Sequence, residues 1–267
     1  MRREILILLI VLVVLGAVYL IAQRPFAGDG TGPPSGDDLF FPEFAAADVE
    51  TLSMRGKGIG VVLFRTGDAW AIAGDRAMHA APAEVEDALA MIAALPKTEL
   101  VSIVPEKHEV FEVVDGRATR LRAVGGGRVY ADVLVGKRGP GHMDAYVRAP
   151  GEDEVYLSQR GFPSSVVRPI EFWRDREILS FDTADATWLA IQTKEQRVAL
   201  SRTAEREWRM VEPAERPADA AAVEAALRAL SSLSASGFED DLPPSACGFD
   251  DPTAVVSIDL ASGALPT

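Results

Sequence analysis

The chain has 267 residues, 48% hydrophobic and 25% charged, which is enough to bury one large core or two modest ones. Its formal net charge of −13 repels phosphate backbones, which excludes nucleic acid as a partner. With Cys247 as the one cysteine no internal disulfide can form, and the expectation for such a thiol is a buried, inert side chain rather than a reactive or intermolecular one.

In chain order, the first element is an apolar run. Residues 5–22, ILILLIVLVVLGAVYLIA, carry no charge, and a helix of that length spans about 27 Å, close to the hydrocarbon thickness of a bilayer. Arg2 and Arg3 precede it, so the positive-inside rule places the N-terminus in the cytoplasm and the body outside it. A cleavable signal has a shorter apolar region, about 7–15 residues, ending in small side chains. Tyr19, Leu20 and Ile21 occupy that region here, so residues 1–26 read as an uncleaved single-pass anchor in the inner (cytoplasmic) membrane, with a periplasmic body. No cysteine follows the run, which sets aside a lipoprotein. Residues 27–38, AGDGTGPPSGDD, read as a flexible tether, and the folded body begins near LFFPEF at residues 39–44.

The body is written twice. DVETLSM (48–54) and VVLFRTG (61–67) alternate apolar and polar residues as half-buried strands do, and AWAIAG (69–74) adds a short strand carrying Trp70. A helix follows, with Val85, Leu89, Ile92 and Leu95 on one stripe and Pro82 in its first turn. ELVSIVP (99–105), TRLRAVG (119–125) and VYADVLVG (129–136) predict further strands. Residues 144–159 predict a hairpin turning at Pro150 and Gly151. The same plan returns in DATWLAI (185–191), RVALSRT (197–203) and EWRMVE (207–212), then a helix capped by Asp219 with Val223, Leu227, Leu230 and Leu233, then AVVSIDL (254–260).

Trp70 and Trp208 lie 138 positions apart, as do Leu89 and Leu227, Pro105 and Pro243, and Phe111 and Phe249. DVETLSM aligns with DATWLAI at an offset of 137, which one extra residue in the intervening hairpin explains. A near-constant offset through strand, helix and strand points to duplication. The expected fold is therefore α+β: two tandem copies of a mainly antiparallel sheet with one packing helix each, after an N-terminal transmembrane helix. The first repeat covers residues 39–170 and the second 171–267. At the 137 offset Thr267 is the counterpart of Tyr130, so the second copy lacks a closing hairpin, through natural shortness or truncation.

Four stretches carry a family resemblance: EWRMVEP (207–213), CGFDDP (247–252), VLVGKRGPGHMDAYVRAPGEDEVYLS (133–158) and EFWRDREILSFDTADATWLAI (171–191). The chain resembles, from about residue 39 to its end, the bacterial DUF4340 proteins, in which the second stretch usually reads tyrosine-glycine-leucine-aspartate-x-proline. The resemblance implies an exported, single-anchor protein encoded beside gliding-type ABC transporter subunits, and it brings no catalytic residue with it.

Chemistry-bearing patterns are sparse. His79, His108 and His142 lack partners at metal-ligand spacing and read as solvated surface. Ser164 and Ser165 sit in FPSSVV without a nucleophile elbow and read as a loop or cap. GKRGPGH (136–142) could cradle an anion beside Lys137 and Arg138, but strands flank its glycines and a long hairpin loop is the better reading, as a turn is for the glycines at 125–127. Glu239/Asp240 and Asp250/Asp251 read as solvated charge unless folding converges them on a sugar. Trp70 and Trp208 read as core anchors rather than sugar-stacking platforms. No catalytic, metal or cofactor-binding residue is expected. The expectation is a non-catalytic accessory protein of an ABC-type export or gliding complex, partnered by the membrane and by transporter membrane or exported subunits. The alternatives are an envelope polymer or glycan-binding module and, behind it, an envelope hydrolase.

Overall fold

The computed structural model describes residues 39–261 apart from 75–77, 98, 142, 159 and 160. The expected anchor (1–26), the tether (27–38), His142 and Thr267 lie outside the described residues. Among the described residues no helix is long and apolar enough to cross a membrane.

The fold is mostly antiparallel sheet with few helices, an α+β arrangement. Strands β1 (Thr51–Gly56), β2 (Ile59–Thr66), β3 (Ala69–Ile72) and β4 (Met78–His79) form a meander, followed by helix α1 (Pro82–Ala93). After β5 (Leu100–Ser102) come β6 (Thr119–Gly125), β7 (Arg128–Arg138), β8 (Ala145–Arg148) and β9 (Val155–Ser158). These make one nine-stranded sheet in the order β4-β3-β2-β1-β6-β7-β8-β9-β5. Alternation decides which face is buried: Leu52 and Met54 on β1 stand opposite Leu63 and Val61 on β2, and all four are buried. Val85, Leu89 and Ile92 of α1 cover them, forming one cluster that runs from Phe40 to Trp173.

Two short helices, α2 (Phe162–Val166) and α3 (Ile170–Trp173), lead to β10 (Glu177–Ser180). A five-stranded sheet follows, built from β11 (Ala186–Thr193), β12 (Arg197–Arg202), β13 (Trp208–Glu212), β14 (Arg216–Pro217) and β16 (Ala254–Leu260), in the order β14-β13-β12-β11-β16. Helix α4 (Ala220–Ser231) packs on it, and β15 (Ser232–Ser234) pairs with β10. The second cluster is smaller: Ala186, Leu189, Leu200, Trp208, Val223 and Leu227.

The elements recur at steady spacing. α1 and α4 have 12 residues each and begin 138 positions apart, as do β4 and β14. The Leu39–Pro96 bridge recurs as Glu177 paired with Ser234, again at 138. The β1–β2 turn holds Lys57 and Gly58, whereas the β11–β12 turn holds Lys194, Glu195 and Gln196, which is the extra residue behind the change from 137 to 138. Lys57 and Gly58 both take positive φ, 47° and 78°, as a two-residue hairpin turn of right-handed strand twist requires.

Three details differ from the sequence reading. Both helices end before Leu95 and Leu233; Leu95 is still buried, but Leu233 lies on β15 and is 42% exposed. ELVSIVP forms only the three-residue β5, and that strand pairs with β9 at the far edge of the sheet. The offset also falls to 135 at the last strand: Leu52 pairs with Ala123 on β6 while its counterpart Leu189 pairs with Ile258 on β16. The segment between Phe249 and β16 is therefore three residues shorter than that between Phe111 and β6.

Candidate functional site

A cleft of about 350 Å³ opens where the end of β7 meets the β1–β2 turn and α2. Lys57, Arg138 and Arg168 contribute cations, Ser164 a hydroxyl, and Ile59, Val135, Met143 and Val167 the apolar wall. The β7–β8 loop is wound tightly around Asp144. Gly139 N–H donates to the Asp144 carbonyl at 2.9 Å, and Gly141 N–H donates to the Asp144 carboxylate at 3.1 Å. A side chain at Gly139 would meet Leu157 and Asp144 inside 3.0 Å, so the closeness of that winding requires glycine.

Lys57 donates to the Glu112 carboxylate at 2.8 Å and to the Gly136 carbonyl at 3.0 Å. That hydrogen bond, with the Lys57 charge behind it, holds the Glu112 carboxyl below the ordinary carboxylate range. Arg168 stacks over Phe172, with its guanidinium 4.1 Å from the ring centre, and its Nε is buried without a hydrogen-bond partner. Strand alternation separates the two cations of GKRGPGH: Arg138 faces the cleft, while Lys137 lies over Phe111 and Tyr146 at 5.7 and 5.9 Å.

The remaining candidates scatter. His79 is exposed on β4. His108 is buried, 8% exposed, with Nε2 2.9 Å from the Asp153 carbonyl, which corrects its reading as solvated surface. The cause is the β8–β9 loop, which folds over it from 45 residues away. Ser164 and Ser165 belong to α2 rather than to a loop, and Ser164 donates to the Gly161 carbonyl at 2.8 Å. Asp240 pairs with Arg174 at 2.5 Å and Asp251 with Lys194 at 2.5 Å, so one member of each acidic pair sits in an ion pair. Trp70 and Trp208 are each 5% exposed, one in each core cluster. Among the described residues no group of three or more His, Cys, Asp or Glu side chains stands together as a metal site would need.

A second feature is a surface. In the first unit Phe111 packs on Tyr146 of β8 with ring centres 4.6 Å apart, and β7 covers the outer edge of β6. In the second unit the counterpart Phe249 is 78% exposed, and among the described residues β16 pairs with β11 alone. Val255 and Val256 on β16 are exposed, as is Leu242 earlier in the segment between β15 and β16. Cys247 lies on the same flank and is exposed, correcting its reading as a buried thiol. Among the described residues no strand stands where β7 and β8 do in the first unit.

A model of a family described as a domain of unknown function, DUF4340, matches residues 70–252. The chain belongs to the DUF4340 family. Neither the curated proteins nor the solved structures contain a match. The DUF4340 match begins at Trp70 in β3 and ends at Pro252 before β16, a narrower span than residue 39 to the end. It takes in α1 to α4 and the stretches 133–158 and 171–191 on which the resemblance rests. Of the cleft residues, Arg138 and Arg168 fall within the DUF4340 span and Lys57 outside it. Sequence reading missed Lys57 and Arg168 because each is a lone cation in its own segment, and only the packing of α2 against β7 brings them to one cleft.

Proposed function

We propose that this protein is a membrane-anchored, extracytoplasmic accessory protein that acts with an ABC-type export or gliding complex through its surface. Residues 5–22 serve as the anchor, with the N-terminus cytoplasmic and the body periplasmic. The body is a tandem duplication, two copies of a sheet with one packing helix each, as the recurrence of β4, α1 and the Leu39–Pro96 bridge at an offset of 138 suggests. The observation that carries the reading is the exposure, among the described residues, of Phe249, Val255 and Val256 in the second unit. Large apolar side chains exposed on β16 and in the segment before it have the properties of a surface that meets a partner protein. The transporter assignment rests on the family resemblance. Glycan binding finds less support, because both tryptophans it would use are buried.

The test is recovery of the transporter subunits with tagged protein from its own membrane. Val256→Lys, at an exposed strand position, is expected to abolish recovery while circular dichroism and membrane fractionation stay unchanged. His79→Ala should leave recovery intact, since loss of one solvated side chain changes binding by under about 0.5 kcal/mol, and so should Lys137→Ala, whose ammonium lies over rings of the first unit. A secreted form lacking residues 1–24 should also lose the complex, because tethering confines the body beside the bilayer and raises its effective concentration. Undiminished recovery with Val256→Lys would remove the basis of the proposal. A single alanine that abolishes function in a folded, partner-bound protein would indicate catalysis instead.

A further inference from the structure

We propose that the cleft between β7, the β1–β2 turn and α2 binds a small organic oxyanion, a phosphate monoester or carboxylate carried on a short apolar group. Its volume of about 350 Å³ suits a small ligand. Its charges are not balanced from within. Lys57 is matched by Glu112, and the Asp144 carboxylate is engaged by the Gly141 N–H that shapes the loop. Arg138 and Arg168 make no salt bridge among the described residues. Two guanidinium groups therefore face one cleft without a carboxylate in contact, on a chain whose net charge is −13.

Arg168 carries the argument further. A buried N–H without an acceptor is disfavoured, and native structures rarely leave one unexplained. Its Nε is such a group, while the Phe172 ring beneath holds the guanidinium plane in place. A guanidinium with fixed orientation and free N–H edges is the side chain best matched to a carboxylate or phosphate, which it grips through two parallel hydrogen bonds. Arg138 lines the same cleft, as does Ser164, whose hydroxyl proton is committed to the Gly161 carbonyl. Ile59, Val135, Met143 and Val167 supply an apolar wall, which selects an oxyanion bearing a short hydrocarbon group over a bare inorganic ion.

Full-length protein with isotopically labelled methionine methyls, held in discs of zwitterionic lipid, is titrated with hexyl phosphate while the Met143 resonance is followed. Saturable movement of that resonance is expected, with a dissociation constant on the order of 0.1–1 mM. Arg168→Gln and Arg138→Gln should each weaken binding about tenfold, since each removes one charge-assisted contact. Arg138 is exposed, so its substitution leaves the fold intact even if loss of the Arg168–Phe172 stack does not. Uncharged hexanol should leave Met143 unmoved. If the same movement appears when the disc lipid is changed from zwitterionic to anionic with nothing added, the source is a lipid headgroup; if it needs hexyl phosphate, the source is soluble. The proposal is overturned if Met143 does not respond in either arm, or if hexanol or the Arg138→Gln protein gives the same response as hexyl phosphate on the native chain.

Discussion

Phe111 and Phe249 are the same residue type at matching positions in two similar surroundings, and they meet different fates. Phe111 is half-buried against Tyr146, with the Lys137 ammonium over its face. Phe249 is 78% exposed. Truncating a fully buried phenylalanine costs about 3–5 kcal/mol, so Phe111→Ala, which removes part of such a contact, should cost about 1–2 kcal/mol. Phe249→Ala should stay within about 0.5 kcal/mol. Urea midpoints of the two variants check this, and an equal loss from both would mean that Phe249 is covered in solution. The same logic explains Cys247 and His108. A loop from distant sequence lies over the histidine, whereas no described segment covers the cysteine.

At the scale of the element, α1 and α4 have the same length and position but different starts. Asp219 caps α4, its carboxylate accepting from Ala221 N–H at 3.0 Å and Ala222 N–H at 3.2 Å. Its counterpart Ala81 makes no side-chain cap, and α1 begins instead on Pro82, whose missing N–H removes one orphan donor. Asp219→Ala should destabilise the second unit by about 1 kcal/mol, because it frees two N–H groups and removes a negative charge from the positive end of the helix. Asp219→Asn, which keeps the acceptor, should recover most of that. A thermal melt that distinguishes neither variant from the native chain would show that the cap does not matter. The helices also diverge at their ends: the chain after α1 buries Leu95, while that after α4 forms β15 and leaves Leu233 half out.

Across the whole molecule, two cores of unequal size share one chain. The first takes in α1, β1 to β3 and β6 to β8, whereas the second has six buried residues. Arg174, next in sequence to Trp173 of the first core, stacks 3.6 Å from the Phe238 ring centre in the segment after β15 and pairs with Asp240 at 2.5 Å. Deleting one large side chain from the smaller core removes a larger share of its stability. Leu227→Ala should cost about 2–5 kcal/mol and speed hydrogen exchange through β11 to α4, with β1 to β3 unaffected. Equal acceleration in both units would mean that they unfold as one.

The sequence by itself determined the local elements and their order. Alternation marked β1, β2, β11 and β12, the 3.6-residue stripe marked α1 and α4, and Trp70 and Trp208 marked one core each. These properties are legible because each depends on neighbours within a turn or a strand. Burial at His108, Cys247, Phe249 and Leu233 was decided only by the tertiary structure, since it depends on whether a segment far along the chain lies overhead. So was the cleft. Lys137 and Arg138 are adjacent in sequence, but β7 turns them to opposite faces. Lys57, Arg138 and Arg168 share one cleft only because β7, the β1–β2 turn and α2 pack together. Periodicity carries the direction of a side chain relative to its own backbone; what that side chain meets is set by contacts between distant segments.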